Sequence, residues 1–126
     1  LKLTENIFLL GKISHKEVKN QMEWADLYLQ PSIQEGFCNS VLEAQSMGLL
    51  CIVTDAEGLT ENVHHEKTGW VVPKRSPMKM AEKIKEVLKL EEQEQIKIRM
   101  TAVKRISNEF TLEKQNKLFH NFFRQI

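Results

Sequence analysis

Two carboxylates and a loop between them hold the chemistry of this chain. The segment from Pro31 to Gly48 reads PSIQEGFCNSVLEAQSMG, with seven residues between Glu35 and Glu43. It begins where the apolar stretch Ala25 to Leu29 ends, passes the polar loop carrying Glu35-Gly36, and enters a helical run containing Glu43. A helix start presents unpaired backbone N–H groups and a partial positive charge, so it can hold a phosphate without a lysine. One carboxylate just before such a start, and a second in the first turns, can grip the hydroxyls of a sugar or a ribose. The combination suggests a nucleotide-sugar site.

The elements that must position these residues alternate along the chain. Asn6 to Leu10 is a short apolar run ended by Gly11, which predicts a buried strand. Ser14-His15-Lys16-Glu17 has the form of a capping box, and Val18, Met22 and Ala25 follow at helical spacing. Leu27 to Leu29 predicts the next strand, stopped by Pro31. The helix after the loop is expected to start near Asn39 or Ser40 and end at Gly48, burying Val41, Leu42, Ala44 and Met47. Leu49 to Val53 and Trp70 to Val72 predict two further strands.

Ser76-Pro77 then opens a helix with proline where it is tolerated and an apolar stripe of Ala81, Ile84, Val87 and Leu88. Ile96, Met100, Val103 and Ile106 predict the buried face of another helix, and Phe119, Phe122, Phe123 and Ile126 that of a last one. Strands alternating with helices imply a parallel, doubly wound sheet with ligands at the strand C-terminal edges. The Glu35 loop follows one of those edges.

Composition narrows the function classes. A chain of 126 residues is expected to form one domain with a sizeable core. With 41% hydrophobic and 28% charged residues it reads as a soluble globular protein. A net charge of +1 gives no reason to expect nucleic-acid binding. No apolar run is long enough to span a membrane. The chain starts Leu-Lys-Leu, without a signal-peptide pattern or an initiating Met, as if cut from something longer. Cys38 and Cys51 have neither CxxC nor zinc spacing, and a reducing cytoplasm is the simplest reading.

The Pro31–Gly48 segment resembles the Glu-x7-Glu signature of the retaining glycosyltransferases with the GT-B fold. Asn6-Ile7-Phe8-Leu9-Leu10-Gly11 resembles that family's strand and glycine before the base-binding loop, and Ala25 to Ser32 its strand into the donor loop. Gly58-Leu59-Thr60-Glu61 is similar to its later Gly-x-x-Glu element, Thr68 to Pro73 to its last strand, and Phe110 to Glu113 to the start of its closing helix. Cys38 departs from the pattern, where proline is frequent, and Leu50 also replaces a proline.

The resemblance implies an α/β fold: a Rossmann-like parallel sheet with flanking helices, the C-terminal half of a GT-B fold lacking its first two strands. In a 3-2-1-4-5-6 order the missing pair would lie between the Asn6–Leu10 strand and the Leu27–Leu29 strand. Residues 1–126 would be a donor-binding domain, incomplete at its N-terminal side, with a helical extension over about 91–126. The basic residues that hold the diphosphate and the N-terminal acceptor domain would lie outside the chain.

By the same resemblance Glu35 is the catalytic candidate, bonding donor-sugar hydroxyls and stabilising charge at the anomeric carbon. Glu43 would bond the ribose; Gly36, Phe37, Cys38, Asn39 and Ser40 would line the sugar and phosphate through their backbone; Lys12 and Ile13 would sit beside the base. No metal and no cofactor is expected, the nucleotide-diphosphate sugar being substrate. The implied partners are that donor and the acceptor domain, with peripheral membrane contact and self-association through exposed core also in view. The implied activity is transfer of the sugar to a glycan or lipid-type acceptor, in the cytoplasm or at the inner face of its membrane, with this chain alone inactive. Two alternatives stand beside it: a non-catalytic nucleotide-sugar binding or assembly unit, and a GT-B nucleotide-sugar epimerase.

Each residue also has a plainer reading. Glu35 can be a solvated loop acid, and Glu43 the distal half of a Ser40-Val41-Leu42-Glu43 capping box. Gly36 can supply a positive φ, and Cys38 can be a thiol activated by the helix start. Gly11-Lys12-Ile13 can be an ordinary turn, and Glu61 can merely favour a helix dipole. His64-His65-Glu66 reads as an exposed turn rather than a metal site, since adjacent histidines point apart. Lys79, Lys83, Lys85 and Lys89 read as a solvated helix face. The Phe119–Phe123 stripe reads as core or interdomain packing.

Overall fold

The computed structural model describes residues 3–124. Its elements run α1 (His15–Trp24), β1 (Leu27–Gln30), α2 (Asn39–Ser46), β2 (Leu50–Thr54), α3 (Leu59–Asn62), β3 (Trp70–Val72), α4 (Pro77–Val87), α5 (Glu92–Glu109) and α6 (Leu112–Arg124). The three strands form one parallel sheet in the order β1-β2-β3, with Leu27 opposite Leu50 and Ile52 opposite Trp70. Parallel neighbours need crossover connections; α2 and the short α3 supply them.

β2 is central, and every residue in it is buried. Cys51 and Val53 join Met22, Val41, Ala44 and Leu59, from α1, α2 and α3, on one side of the sheet. On the other side Leu50 and Ile52, with Trp70 and Val72 of β3, meet Val87 of α4 and Ile98 of α5, which close that face. A strand covered on both faces has no polar side, which is why Leu-Cys-Ile-Val reads as a continuous apolar run. Full burial of Leu50 or Ile52 is worth about 2 kcal/mol each.

Local chemistry sets the helix starts. The Glu17 backbone N–H donates to Ser14 Oγ (3.3 Å) and the Ser14 N–H to Glu17 Oε2 (2.8 Å), completing the capping box at α1. Pro77 opens α4, although the Ser76 hydroxyl makes no capping bond there. The Lys114 N–H donates to Thr111 Oγ1 (3.2 Å) at the start of α6.

Four expectations are corrected. Asn6 to Leu10 forms no strand, and its side chains face outward, Phe8 75% and Leu9 95% exposed. An apolar run becomes a strand only when a neighbour supplies the ladder, and no strand among the described residues lies beside it. In α4 the inward stripe is Met80, Ile84 and Val87, with Leu90 just beyond the helix; Ala81 and Leu88 are exposed. In α5 the predicted face is largely wrong: Ile96, Met100 and Val103 are exposed, Ile106 is half-buried, and Ile98 and Ala102 are buried. That inner face spends positions on arginine, Arg99 Nη1 donating to the Gly48 carbonyl (2.6 Å), so apolar spacing selected the wrong side. Phe119 of the last stripe is exposed; Ile126 and the side chains of Phe122 and Phe123 lie outside the described residues.

Candidate donor site

Glu35 sits at the carboxyl end of β1, in the loop that leads to α2. The loop's origin is tied to the neighbouring strand end, because the Thr54 hydroxyl donates to the Ser32 carbonyl. Ser32 Oγ donates to Glu35 Oε2 at 2.7 Å, and Gln30 Nε2 approaches the same oxygen at 3.4 Å. Glu35 is half-buried and held in place, which is not the environment of a freely solvated loop acid.

The helix start differs from the plainer expectation for Glu43. α2 is capped by Cys38, so Ser40 lies inside the helix and Ser40 to Glu43 is no capping box. Glu43 is exposed and lines a groove between α1 and α2 whose opposite wall is His15, Val18, Lys19 and Met22. Lys12, exposed, and Ile13, half-buried, directly precede the cap of that opposite helix. The two carboxylates therefore flank the α2 start, Glu35 at the strand end and Glu43 facing α1.

The residues between them divide. The Cys38 backbone N–H donates to Asn62 Oδ1 (3.1 Å), so it is taken within the chain and corrects the expectation that it faces a phosphate. Asn39 and Ser40, exposed in the first turn, keep the helix-start N–H groups that such a site needs. Gly36 has no positive φ, and a Cβ there would meet nothing within 4 Å, so its value is open space rather than turn geometry. Phe37 is 50% exposed, its ring 5.6 Å from that of Phe110. Cys38 and Cys51 are free and buried; burial pushes the Cys51 thiol up to about 12.

The residues that hold the loop from behind were missed in the sequence. Gly58 has φ +83°, and a Cβ on it would lie 2.2 Å from the Gly36 carbonyl oxygen, so α3 begins hard against the loop. Asn62, fully buried at the other end of α3, takes the Cys38 N–H, and Gln45 Nε2 donates to the Asn62 carbonyl (2.9 Å). Arg105 of α5 donates to the carbonyls of Asn62 (2.7 Å) and Glu61 (2.8 Å) and lies 5.0 Å from the centre of the Phe110 ring. Gln45 Oε1 and Asn62 Nδ2 remain buried without partners, a cost that apolar residues would avoid. Only Gly58 left a signal in the sequence, as the glycine before Glu61; the side chain of Glu61 itself is exposed.

His64 and His65 are exposed and lead into a turn over residues 66–68, closed by the His65–Gly69 bridge. His65 Nδ1 accepts from the Val71 N–H (3.0 Å), and among the described residues no three His, Cys, Asp or Glu gather as metal ligands would. Of the lysines on α4, Lys79 and Lys83 pair with Glu82 and Glu86.

The family model described as glycosyl transferases group 1 matches residues 1–104. The chain belongs to this family. Among its relatives is the putative colanic acid biosynthesis glycosyltransferase WcaL of Escherichia coli, 28% identical over 112 residues, covering 84% of this chain and 27% of WcaL. A glycosyltransferase from Rickettsia africae superposes with a TM-score of 0.87 at 25% identity, over 98% of this chain and 33% of that one. Anabaena HepE in complex with UDP-glucose superposes at 0.78 and 21% identity, over 87% of this chain and 30% of its own.

This group 1 chain thus has the α/β, Rossmann-like fold of its GT-B neighbours, and it spans about a quarter to a third of the length of these relatives. No helix among the described residues is long and apolar enough to cross a membrane.

Proposed function

We propose that this chain is the donor-binding part of a retaining glycosyltransferase that moves a sugar from a nucleotide-diphosphate sugar to a glycan or lipid-type acceptor. The observation that carries the reading is the placement of Glu35 and Glu43 on either side of the α2 start, at the carboxyl end of β1. Sheet edges of this kind are where open α/β folds bind ligands. Glu35 holds the sugar hydroxyls and steadies positive charge at the anomeric carbon. Glu43 and the α1 side of its groove hold the ribose and base. The first-turn N–H groups of α2 meet the diphosphate and stabilise its charge as it leaves. Gly36 leaves room for the sugar. The resident machinery needs no metal in this scheme, and the acceptor is held by a separate domain of the parent enzyme, at the cytoplasmic face of a membrane or in the cytoplasm. The chain alone binds donor without transferring sugar.

Calorimetric titration with UDP, GDP and ADP, and with their glucose, mannose and N-acetylglucosamine conjugates, tests this reading. Saturable binding that prefers one base is expected. Glu43→Ala should weaken nucleotide and conjugate alike by about ten- to a hundredfold, the worth of one or two bonds to a charged group. Glu35→Ala should weaken the conjugate alone. A folded chain that binds none of these ligands refutes the reading, and sugar transfer by the purified chain refutes its inactivity.

A further inference from the structure

Tyr28, Gln30 and Ser32 occupy alternate positions along and just beyond β1, so their side chains emerge on one side of it. They form a continuous hydrogen-bonded line. Tyr28 Oη donates to Gln30 Oε1 (2.8 Å), Gln30 Nε2 donates to Ser32 Oγ (2.8 Å), and Ser32 Oγ donates to Glu35 Oε2 (2.7 Å). The direction is fixed throughout. The Glu35 carboxylate only accepts, so Ser32 Oγ donates to it and the Gln30 end facing both is the amide nitrogen, which turns the Gln30 oxygen toward Tyr28 Oη.

Both ends of the line are anchored. At one end the Ser32 carbonyl is held by the buried Thr54. At the other, half-buried Tyr28 packs against the core that includes Cys38 and Val41, beneath the start of α2. Burial, ahead of the neighbouring Cys38, pushes the phenol up to about 12, so Tyr28 stays a donor at neutral pH. The line therefore runs from the core beneath the start of α2 to the Glu35 carboxylate.

We propose that Tyr28, Gln30 and Ser32 are positioning residues that aim the Glu35 carboxylate at the donor sugar and so set the preference for a glycosylated nucleotide over the bare one. The proposal rests on the donor-site reading above. Both donors that reach Glu35, from Ser32 and Gln30, fall on Oε2. They fix the carboxylate plane and leave Oε1 for a ligand hydroxyl. Three polar side chains in succession on a half-buried strand carry a desolvation cost that an apolar set would not, and their shared endpoint at Glu35 accounts for them.

The test compares affinities of the chain for UDP-glucose and UDP, or for the base that the titration above selects. Ser32→Ala should weaken the conjugate about five- to tenfold, the loss of one charge-assisted bond, and leave the nucleotide unchanged. Ser32→Thr, which keeps the hydroxyl, should restore it, and Tyr28→Phe should act in the same direction by about twofold. A general loosening of the structure would weaken both ligands together, and that result overturns the proposal. So does a conjugate affinity untouched by Ser32→Ala while Glu35→Ala reduces it. If Glu35→Ala itself leaves the preference intact, the donor-site reading has failed and the proposal falls with it. Without any ligand, the Gln30 side-chain amide and Glu35 carboxyl NMR signals should both move in Tyr28→Phe; unmoved signals mean that no such line exists.

Discussion

Gly36 and Gly58 meet backbone to backbone, yet they are glycines for different reasons. Gly58 combines φ +83° with a Cβ position 2.2 Å from the Gly36 carbonyl. The left-handed conformation costs about 1–2 kcal/mol for alanine, and overpacking about 1–3 more. Gly58→Ala is therefore expected to lower stability by roughly 3 kcal/mol in urea denaturation. Gly36→Ala should change stability by less than about 0.5 kcal/mol, because its Cβ enters open space, while weakening nucleotide-sugar binding where that space receives the sugar. Wild-type affinity in Gly36→Ala would remove the sugar from that side of the loop. A second residue-scale expectation concerns alkaline pH. Cys51 is raised from 9.0 to about 12 and Tyr28 from 10.0 to about 12, both first by burial. The unfolded chain releases these protons before the folded chain does, so their contribution is complete below pH 9. It then declines as pH rises toward about 12. Stability measured from pH 8 to 11 should fall, and Cys51→Ala should flatten the onset; an unchanged slope would mean that the thiol ionises alike in both states.

At the scale of elements, α5 shows how a helix can read as one thing and act as another. Arg105 donates to two carbonyls at the carboxyl end of α3, and α3 in turn holds the loop before α2 through Asn62. Arg105→Met is expected to cost about 2 kcal/mol and to speed hydrogen exchange at the Cys38 amide; Arg105→Lys should recover only part, since it cannot span both carbonyls as a fork. Exchange unchanged at Cys38 would show that the loop does not depend on α3. This dependence explains what the sequence made legible. α1 announces itself by Ser14 and Glu17, β2 by an apolar run that both faces bury, and α2 by the polar loop before it, because each signal is local. The places of Glu35 in the loop and Glu43 in α2 were legible for the same reason, since both follow from local sequence. Asn62 and Arg105 were not, for they act across 24 and 43 residues. Nor were the inner faces of α4 and α5, whose choice is made by what they pack against, nor the fate of Asn6 to Leu10, which depends on a strand alongside.

For the molecule as a whole, that last point leaves two strand-forming surfaces unsatisfied. Among the described residues β1 is paired on one side only, so its outer edge presents unpaired backbone groups. Ile7 to Leu10 stands exposed as an apolar run, and Trp24, just before β1, is 84% exposed. A net charge of +1 offers little repulsion to keep copies apart. An open edge and an exposed apolar segment in one chain are the two halves of an edge-to-edge association, so the purified chain should self-associate as its concentration rises. Sedimentation velocity over a hundredfold concentration range measures this directly. Phe8→Lys with Leu9→Lys should shift the distribution to monomer without lowering the melting temperature, since neither side chain is buried and lysine on an edge opposes pairing. A chain that stays monomeric at every concentration would show that the edge is guarded by its own side chains. Association that survives the double substitution would move the contact away from this segment, to Trp24 or the exposed face of α5.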